Sequence, residues 1–369
     1  MNSTRPPASV GQRVDEIDTP ALVLELDAFE RNLRTLTESV KGRPLRVRPH
    51  AKTHKCPEIA KRQIAHGAVG VCCQKVSEAE ALVDGGIEDV LVSNEVVGAP
   101  KIARLAELSK RAHIGVCVDH PDNLAALEAS GARVDVYIEL EVGMRRCGIA
   151  PGEPAVALAR AISKSKTLRF VGLQAYHGRA QHMRSMEERH AAIEGAAQHV
   201  FEMKRLLEKA GIPCPIVTGA GSGTYMLEVE AGAWNEIQPG SYIFMDVDYA
   251  KNEWAAPLPR FEHALFVLAT VMSRPAPDRA IVDAGLKASS VDSGMPLVWR
   301  REGLTYRGAS DEHGSIELTP GAPAPALGEK LYLVPGHCDP TVNLYDWYVC
   351  VRNGRVEAVW PITARGALN

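Results

Sequence analysis

The sequence predicts an α/β architecture, an N-terminal (β/α)8 barrel followed by a C-terminal, mostly antiparallel β domain. Three observations lead there. Short apolar runs alternate with amphipathic stretches from residue 21 to about residue 253. Eight of those runs read as strands. After Asn252 the texture changes: the proline-rich segment 255–261 gives way to strand-like runs split by Gly, Pro, Asn and Asp.

The elements follow in order. Ala21–Leu26 and the helical pattern Ala28–Val40 form a first unit, with Asp27 placed to cap the helix. Barrel strands are predicted at Leu45–Pro49, Ala68–Cys73, Asp89–Val92, His113–Val118, Val134–Glu139, Leu168–Ala175, Pro215–Thr218 and Glu236–Gln238. Helical patterns fall between them at Pro57–His66, Val76–Asp84, Pro100–Leu108, Asp122–Ala129, Glu153–Ser163 and Met183–Ala210. The strands are short, apolar and β-branched, as strands covered by helices should be. Repeated strand–helix order predicts a parallel sheet, and eight units close into a barrel.

Beyond the junction, His263–Met272, Ala280–Asp283, Lys330–Val334, Asp346–Val351 and Val356–Pro361 read as strands, with no long helix. Asn353-Gly354 marks a tight hairpin. The expected domains are residues 21–255, and residues 256–369 joined by the N-terminal segment 1–20.

Composition narrows the functional classes. The chain has 369 residues, 46% apolar and 24% charged, with a formal net charge of −3. No basic run suggests a nucleic-acid surface, and no apolar stretch is long enough to span a bilayer. The N-terminus lacks a secretory apolar core and reads as a loose arm on a cytoplasmic protein. Eight scattered cysteines without a CxxC pair read mostly as small buried hydrophobes. Small molecules, or a second copy of the chain, are the expected partners.

Three segments carry chemistry. In Arg48-Pro49-His50-Ala51-Lys52-Thr53-His54, a lysine lies just past the first barrel strand, on the face where barrels place their sites. Such a lysine can form an imine if its field lowers its pKa, and Arg48 and His54 would push that way. A solvated basic loop is the alternative. In Thr218-Gly219-Ala220-Gly221-Ser222-Gly223-Thr224, successive N–H groups and hydroxyls suit a phosphate, at the loop after strand seven that barrels often use for one. An aldehyde site and a phosphate site together suggest pyridoxal 5'-phosphate. In Gly336-His337-Cys338-Asp339, an extended backbone would put His337 and Asp339 on one side and Cys338 on the other. That mixed N/O pair favours Mn²⁺ or Mg²⁺, with water and substrate completing the shell. A surface turn capped by Asp339 is the plain alternative.

The same segments, with VCCQKVSEAEA, SNEVVG, Arg146-Cys147-Gly148, LQAYHG, YIFMDVDY, DAGLK and DEHG, resemble the D-threonine aldolases of the alanine-racemase-like pyridoxal-phosphate enzymes over nearly the whole chain. The resemblance implies that Lys52 is the cofactor lysine. Gly221, Ser222, Gly223 and Thr224 would hold the phosphate, although Ala220 departs from a more glycine-rich loop. It further implies Gln74 and Arg146 near the ring hydroxyl, Tyr176 and His177 near the ring plane, and His337 and Asp339 as metal ligands, His337 also being a candidate catalytic group. Barrel packing is the alternative for Gln74, Tyr176 and His177, and a structural ion pair for Arg146. Glu312 and His313 would support the metal or the substrate carboxylate, or form a surface turn.

The expected reaction is cleavage of a D-3-hydroxy amino acid to glycine and an aldehyde, in a homodimer. A 3-hydroxyaspartate aldolase remains open, and would need one more cation, Arg145 or Arg179. A D-serine or D-3-hydroxyaspartate dehydratase is the other reaction class; its relatives resemble a His-x-Cys zinc pair, whereas Asp339 is in phase here. A carrier barrel for the cofactor is disfavoured by the long C-terminal extension.

Overall fold

A computed structural model describes residues 5–369. Strand β1 (Ala21–Glu25) runs into helix α1 (Leu26–Val40). Leu26, Phe29, Leu33, Leu36 and Val40 recur at helical spacing and are buried, each contributing roughly 1.5–3 kcal/mol. Glu25, not Asp27, caps this helix. Its carboxylate accepts from Ala28 N at 2.7 Å, while Asp27 pairs with Arg352.

The barrel then alternates β2 (Arg46–Val47), α2 (Pro57–Ala65), β3 (Val71–Cys73), α3 (Val76–Asp84), β4 (Asp89–Glu95), α4 (Ala99–Leu108), β5 (His113–Val118), α5 (Pro121–Ala129), β6 (Val134–Glu139), α6 (Glu153–Lys164), β7 (Leu168–Ala175), α7 (Met186–Lys209), β8 (Ile216–Gly219), α8 (Tyr225–Ala231) and β9 (Glu236–Ile237). All eight strands are parallel, in the order β2-β9-β8-β7-β6-β5-β4-β3. A bridge from His50 to Cys72 joins the two ends. Alternate residues face alternate sides. Cys72, Leu91, Cys117, Tyr137 and Val171 fill the interior, while Cys73, Val90, Val92 and Val116 pack beneath the helices. Six of the eight cysteines are buried.

Helix α9 (Val247–Ala250) leads to the second sheet: β10 (Leu265–Ala276), β11 (Arg279–Val282), β12 (Leu297–Val298), β13 (Leu304–Ala309), β14 (Gly314–Leu318), β15 (Lys330–Val334), then α10 (Cys338–Val342), β16 (Trp347–Arg352) and β17 (Arg355–Pro361). The β16–β17 hairpin turns on Asn353 and Gly354, both at positive φ (50° and 71°), as the Asn-Gly pair requires.

Two expectations need correction. Strand β1 belongs to this second sheet, antiparallel to β10 and parallel to β16, so residue 21 does not open the barrel. Its first four residues are apolar and buried between two strands, which periodicity cannot distinguish from a barrel position. Nor is the N-terminal arm loose where it is described. Gly11 N donates to Val356 O at 2.8 Å, Val14 N donates to Gly354 O at 3.1 Å, and Ile17 is buried. The arm's first four residues lie outside the described residues. Among the described residues, no helix is long and apolar enough to cross a membrane.

Candidate active site

Pro49 ends β2, and the chain turns through Ala51–Thr53 at the C-terminal mouth of the barrel. His50 Nδ1 accepts from Lys52 N at 3.3 Å, which fixes the turn and aims the lysine outward. There Lys52 Nζ touches Asp339 Oδ2, an ion pair between the two domains. Burial works against the ammonium, but the adjoining Asp339 carboxylate outweighs it, so the Lys52 pKa is raised. The sequence suggested a depression, and the two cations invoked for it face elsewhere. Arg48 points into the barrel base, bonded to Glu236 (3.1 Å) and Asp89 (2.5 Å). His54 bonds Gln63 at 3.2 Å and is pushed down to about 4 by burial, so it is neutral.

Lys52 lines a cavity of about 320 Å³ together with Gln74, Arg146 and Tyr176, bringing four of the predicted residues to one place. Gln74 lies 2.8 Å from His50 and 3.1 Å from Ser93 Oγ. The Arg146 guanidinium stands 5.9 Å from the Tyr176 ring centroid and 3.9 Å from Glu139, a carboxyl pushed up to about 8 by burial and by the neighbouring Glu95. His177 does not line the cavity. Its Nδ1 accepts from Ala180 N at 3.2 Å, capping the turn Gly178–His182, and its ring packs on Gly143.

Gly221 and Ser222, as predicted, line the same cavity, with Ala220. Gly223 and Thr224 are not in its wall. Gly223 N donates to Gln181 at 2.9 Å, and Thr224 Oγ1 is shared between Gln181 (2.7 Å) and Glu228 (2.8 Å). These groups are already bonded to Gln181 of the turn after β7 and to Glu228 of α8. Gly240 and Ser241, in the loop after β9, also line it, with Gly240 packed on Thr53 and His50. Sequence reading missed them, although they follow barrel strand eight, the other loop that barrels use for phosphate.

His337 and Asp339 sit in a turn built differently from expectation. Only His337 is extended (φ −144°, ψ 125°); Asp339 already lies in the first turn of α10. Cys338 still faces away, fully buried, with its N–H on Asp246 at 3.0 Å. Asp339 Oδ1 is buried with no hydrogen-bond partner, an acceptor suited to a cation. His337 Nδ1 lies 2.8 Å from Asp292 Oδ2. Against a carboxylate that nitrogen donates, so Nδ1 carries a ring proton. Gly336 packs so tightly on Gly294 that a Cβ would fall 2.0 Å from its carbonyl oxygen. No group of three or more His, Cys, Asp or Glu side chains converges as a metal site among the described residues. Glu312 pairs with Lys287 on the surface (2.6 Å), and neither it nor His313 lines the cavity.

Sequence reading also missed Gln174, Gln238, His182 and Tyr249 in the cavity wall. Gln174 and Gln238 bond each other at 2.9 Å across β7 and β9. Both stand at the C-terminal ends of strands, the one signal that would have found them.

A parallel barrel with a lysine at its mouth, closed over by a β domain that supplies a carboxylate, defines the alanine-racemase type of enzyme chain. Residues 24–248 match the family described as alanine racemase, N-terminal domain, and residues 264–351 match the putative serine dehydratase domain. A D-threonine aldolase from Arthrobacter sp. is 49% identical over 98% of this chain and 96% of its own length. A 3-hydroxy-D-aspartate aldolase from Paracoccus denitrificans (strain Pd 1222) is 47% identical over 98% of this chain and 95% of its own. The crystal structure of a D-threonine aldolase from Filomicrobium marinum superposes with a TM-score of 0.96 at 49% identity, covering 99% of this chain and all of that one. The chain belongs to the family of D-threonine and 3-hydroxy-D-aspartate aldolases.

Proposed function

We propose that this chain is a pyridoxal-phosphate aldolase that cleaves a D-3-hydroxy amino acid of the D-threonine kind to glycine and an aldehyde. The observation that carries the reading is the meeting of the Lys52 amine with the Asp339 carboxylate at a cavity also lined by Gly221, Ser222, Gly240 and Ser241. An amine together with backbone donors and hydroxyls in one cavity fits an aldehyde that bears a phosphate. When bound, pyridoxal phosphate supplies that aldehyde and a sink for the electron pair released at the substrate's Cα.

The chain's own groups divide the work. Lys52 holds the cofactor and carries protons at the substrate's Cα. Arg146 and Gln74 would hold the ring hydroxyl, and Tyr176 would pack against the ring. His337, oriented by Asp292, and Asp339, with one oxygen unpartnered, fit a hard divalent ion such as Mn²⁺ or Mg²⁺, which would supply Lewis acidity at the β-hydroxyl. Lys52→Ala should abolish both the visible absorbance of purified protein and the release of aldehyde from D-threonine. Ammonia as the main product would replace this reading with a dehydratase.

A second substrate is favoured by one observation. Arg179 is exposed and lines the cavity, whereas Arg145 does not, so a cation stands ready for the second carboxylate of 3-hydroxyaspartate. Arg179→Gln should lower kcat/KM on D-3-hydroxyaspartate by about tenfold or more and leave D-threonine nearly unchanged. Equal losses on both substrates would exclude that role.

The homodimer and a cytoplasmic setting are part of the same reading. Leu286, Met295 and Leu297, 40–46% exposed around the Asp292 turn, support a covering subunit. Light scattering at micromolar concentration should return twice the chain mass of 39.9 kDa.

A further inference from the structure

The barrel has a second cavity at its base. Alternate residues of a strand face the interior, and near the N-terminal ends of β2, β6 and β7 those residues include Arg46, Arg48, Tyr137 and Arg169. They line a cavity of about 310 Å³, at the opposite end of the strands from Lys52.

Its donors are not all spent. Arg48 is 1% exposed; Nε donates to Glu236 and Nη1 to Asp89, and none of the described residues bonds Nη2. Tyr137 is 3% exposed. Its ring lies over Gly115, where a Cβ would stand 3.2 Å from Tyr137 Cε2, and its hydroxyl bonds no group among the described residues. Arg169 commits Nε and Nη2 to Asp135, at 2.6 Å each, and keeps Nη1. Arg46 meets Glu236 through Nε at 2.8 Å and keeps both terminal nitrogens. Buried donors of this kind call for an acceptor.

The charges point the same way. Arg46, Arg48, Arg169 and His113 face Glu236, Asp89 and Asp135, four cations against three carboxylates. His113 counts among the cations because Asp135 and Asp89 raise it to about 9. Burial raises the Tyr137 phenol, with Glu236 adding to the effect, so it stays a donor. The carboxylates are already paired, and one positive charge is left over. Phe170, Pro215 and Ile216 give the cavity an apolar wall.

We propose that the barrel base binds a small organic monocarboxylate, held by Arg48 Nη2, Arg169 and the Tyr137 hydroxyl, with its short apolar end on Pro215 and Ile216. A single negative charge matches the single surplus cation, and a second would meet Asp135 and Glu236. The site is separate from the catalytic mouth and does not depend on the aldolase reading.

The test titrates holoenzyme labelled with ring-carbon-13 tyrosine with sodium propionate at constant ionic strength. Tyr137→Phe identifies the Tyr137 signal by its loss, and Tyr176 reports on the mouth. The Tyr137 signal should shift saturably. Propionate should also raise the wild-type Tm by mass action, and Tyr137→Phe, which loses no hydrogen bond within the protein, should need about tenfold more for the same rise. Wild-type affinity should fall about tenfold from pH 7 to pH 10 as His113 loses its proton, and His113→Gln should bind weakly at both. The proposal is overturned if the Tyr137 signal stays fixed or moves without saturating, if Tyr176 alone responds, or if chloride or sulfate moves Tyr137 as far. A rise in Tm that survives unchanged in Tyr137→Phe would also overturn it.

Discussion

Asp292 illustrates how much a single side chain outside the cavity can decide. It holds His337 Nδ1 at 2.8 Å while Ser290 and Ser293 bond its two oxygens at 2.7 and 3.0 Å. Replacing a carboxylate behind a ligating histidine typically costs a factor of ten to a hundred in metal affinity. Asp292→Asn should therefore weaken Mn²⁺ binding by about that factor, read by competition with a fluorescent chelator, without changing cofactor content. Unchanged affinity would remove His337 from the ligand set. At this scale the sequence was informative where chemistry imposes a motif: Lys52, Gln74, Arg146, Tyr176, Gly221 and Ser222 all reach the cavity. It failed where a side chain's partner comes from a distant segment. Asp292 and His337 are 45 positions apart, and His182 and Asp248 are 66 apart, so no local spacing announces either pair.

The barrel strands meet a different constraint at their N-terminal ends. Asp89, His113, Asp135 and Arg169 open β4 to β7 in a chain of ion pairs, with His113 bonded to Asp89 at 2.9 Å and to Asp135 at 2.8 Å. The Asp135 and Asp89 contacts raise His113 to about 9. The folded value lies above the unfolded value near 6.5, so this stabilisation is complete below pH 6.5 and fades as pH rises through about 9. With the ring half exposed, screening leaves on the order of 1 kcal/mol. His113→Gln should lose about that much in urea unfolding at pH 6, with the gap to wild type closing near pH 10. A gap that persists there would mean His113 acts through packing.

Strand positions were legible in the sequence because β-branched runs and helix stripes have clear periods. His113–Val118, Val134–Glu139 and Leu168–Ala175 match residue for residue. Strands β13 and β14 were missed because they alternate apolar with charged or small residues, as in Leu304–Ala309 and Gly314–Leu318, and lie on the rim of the second sheet.

At the scale of the molecule, the two domains share one core. Leu22, Leu24 and Phe29 pack in the same cluster as Ile59 and Tyr225 of the barrel and Val267, Leu333 and Tyr348 of the second sheet. Strand β1 stands in the middle of that sheet, between β10 and β16. A fragment of residues 256–369 should therefore fail to fold, showing poor amide dispersion by NMR, because two central strands present unpaired edges. Fusing residues 5–25 to it through a flexible linker should recover dispersion. A fragment that folds alone would show β1 to be dispensable. Sequence periodicity cannot express this arrangement, since pairing partners are chosen by the whole chain.

The contact between Lys52 and Asp339 also has a consequence for the order in which a ribosome delivers the protein. Lys52 emerges 287 residues before the carboxylate that pairs with it. A nascent barrel can thus present its amine to solvent while the His337–Asp339 turn is still unmade. A chain truncated before Asp339 would be left with that amine lacking its carboxylate partner.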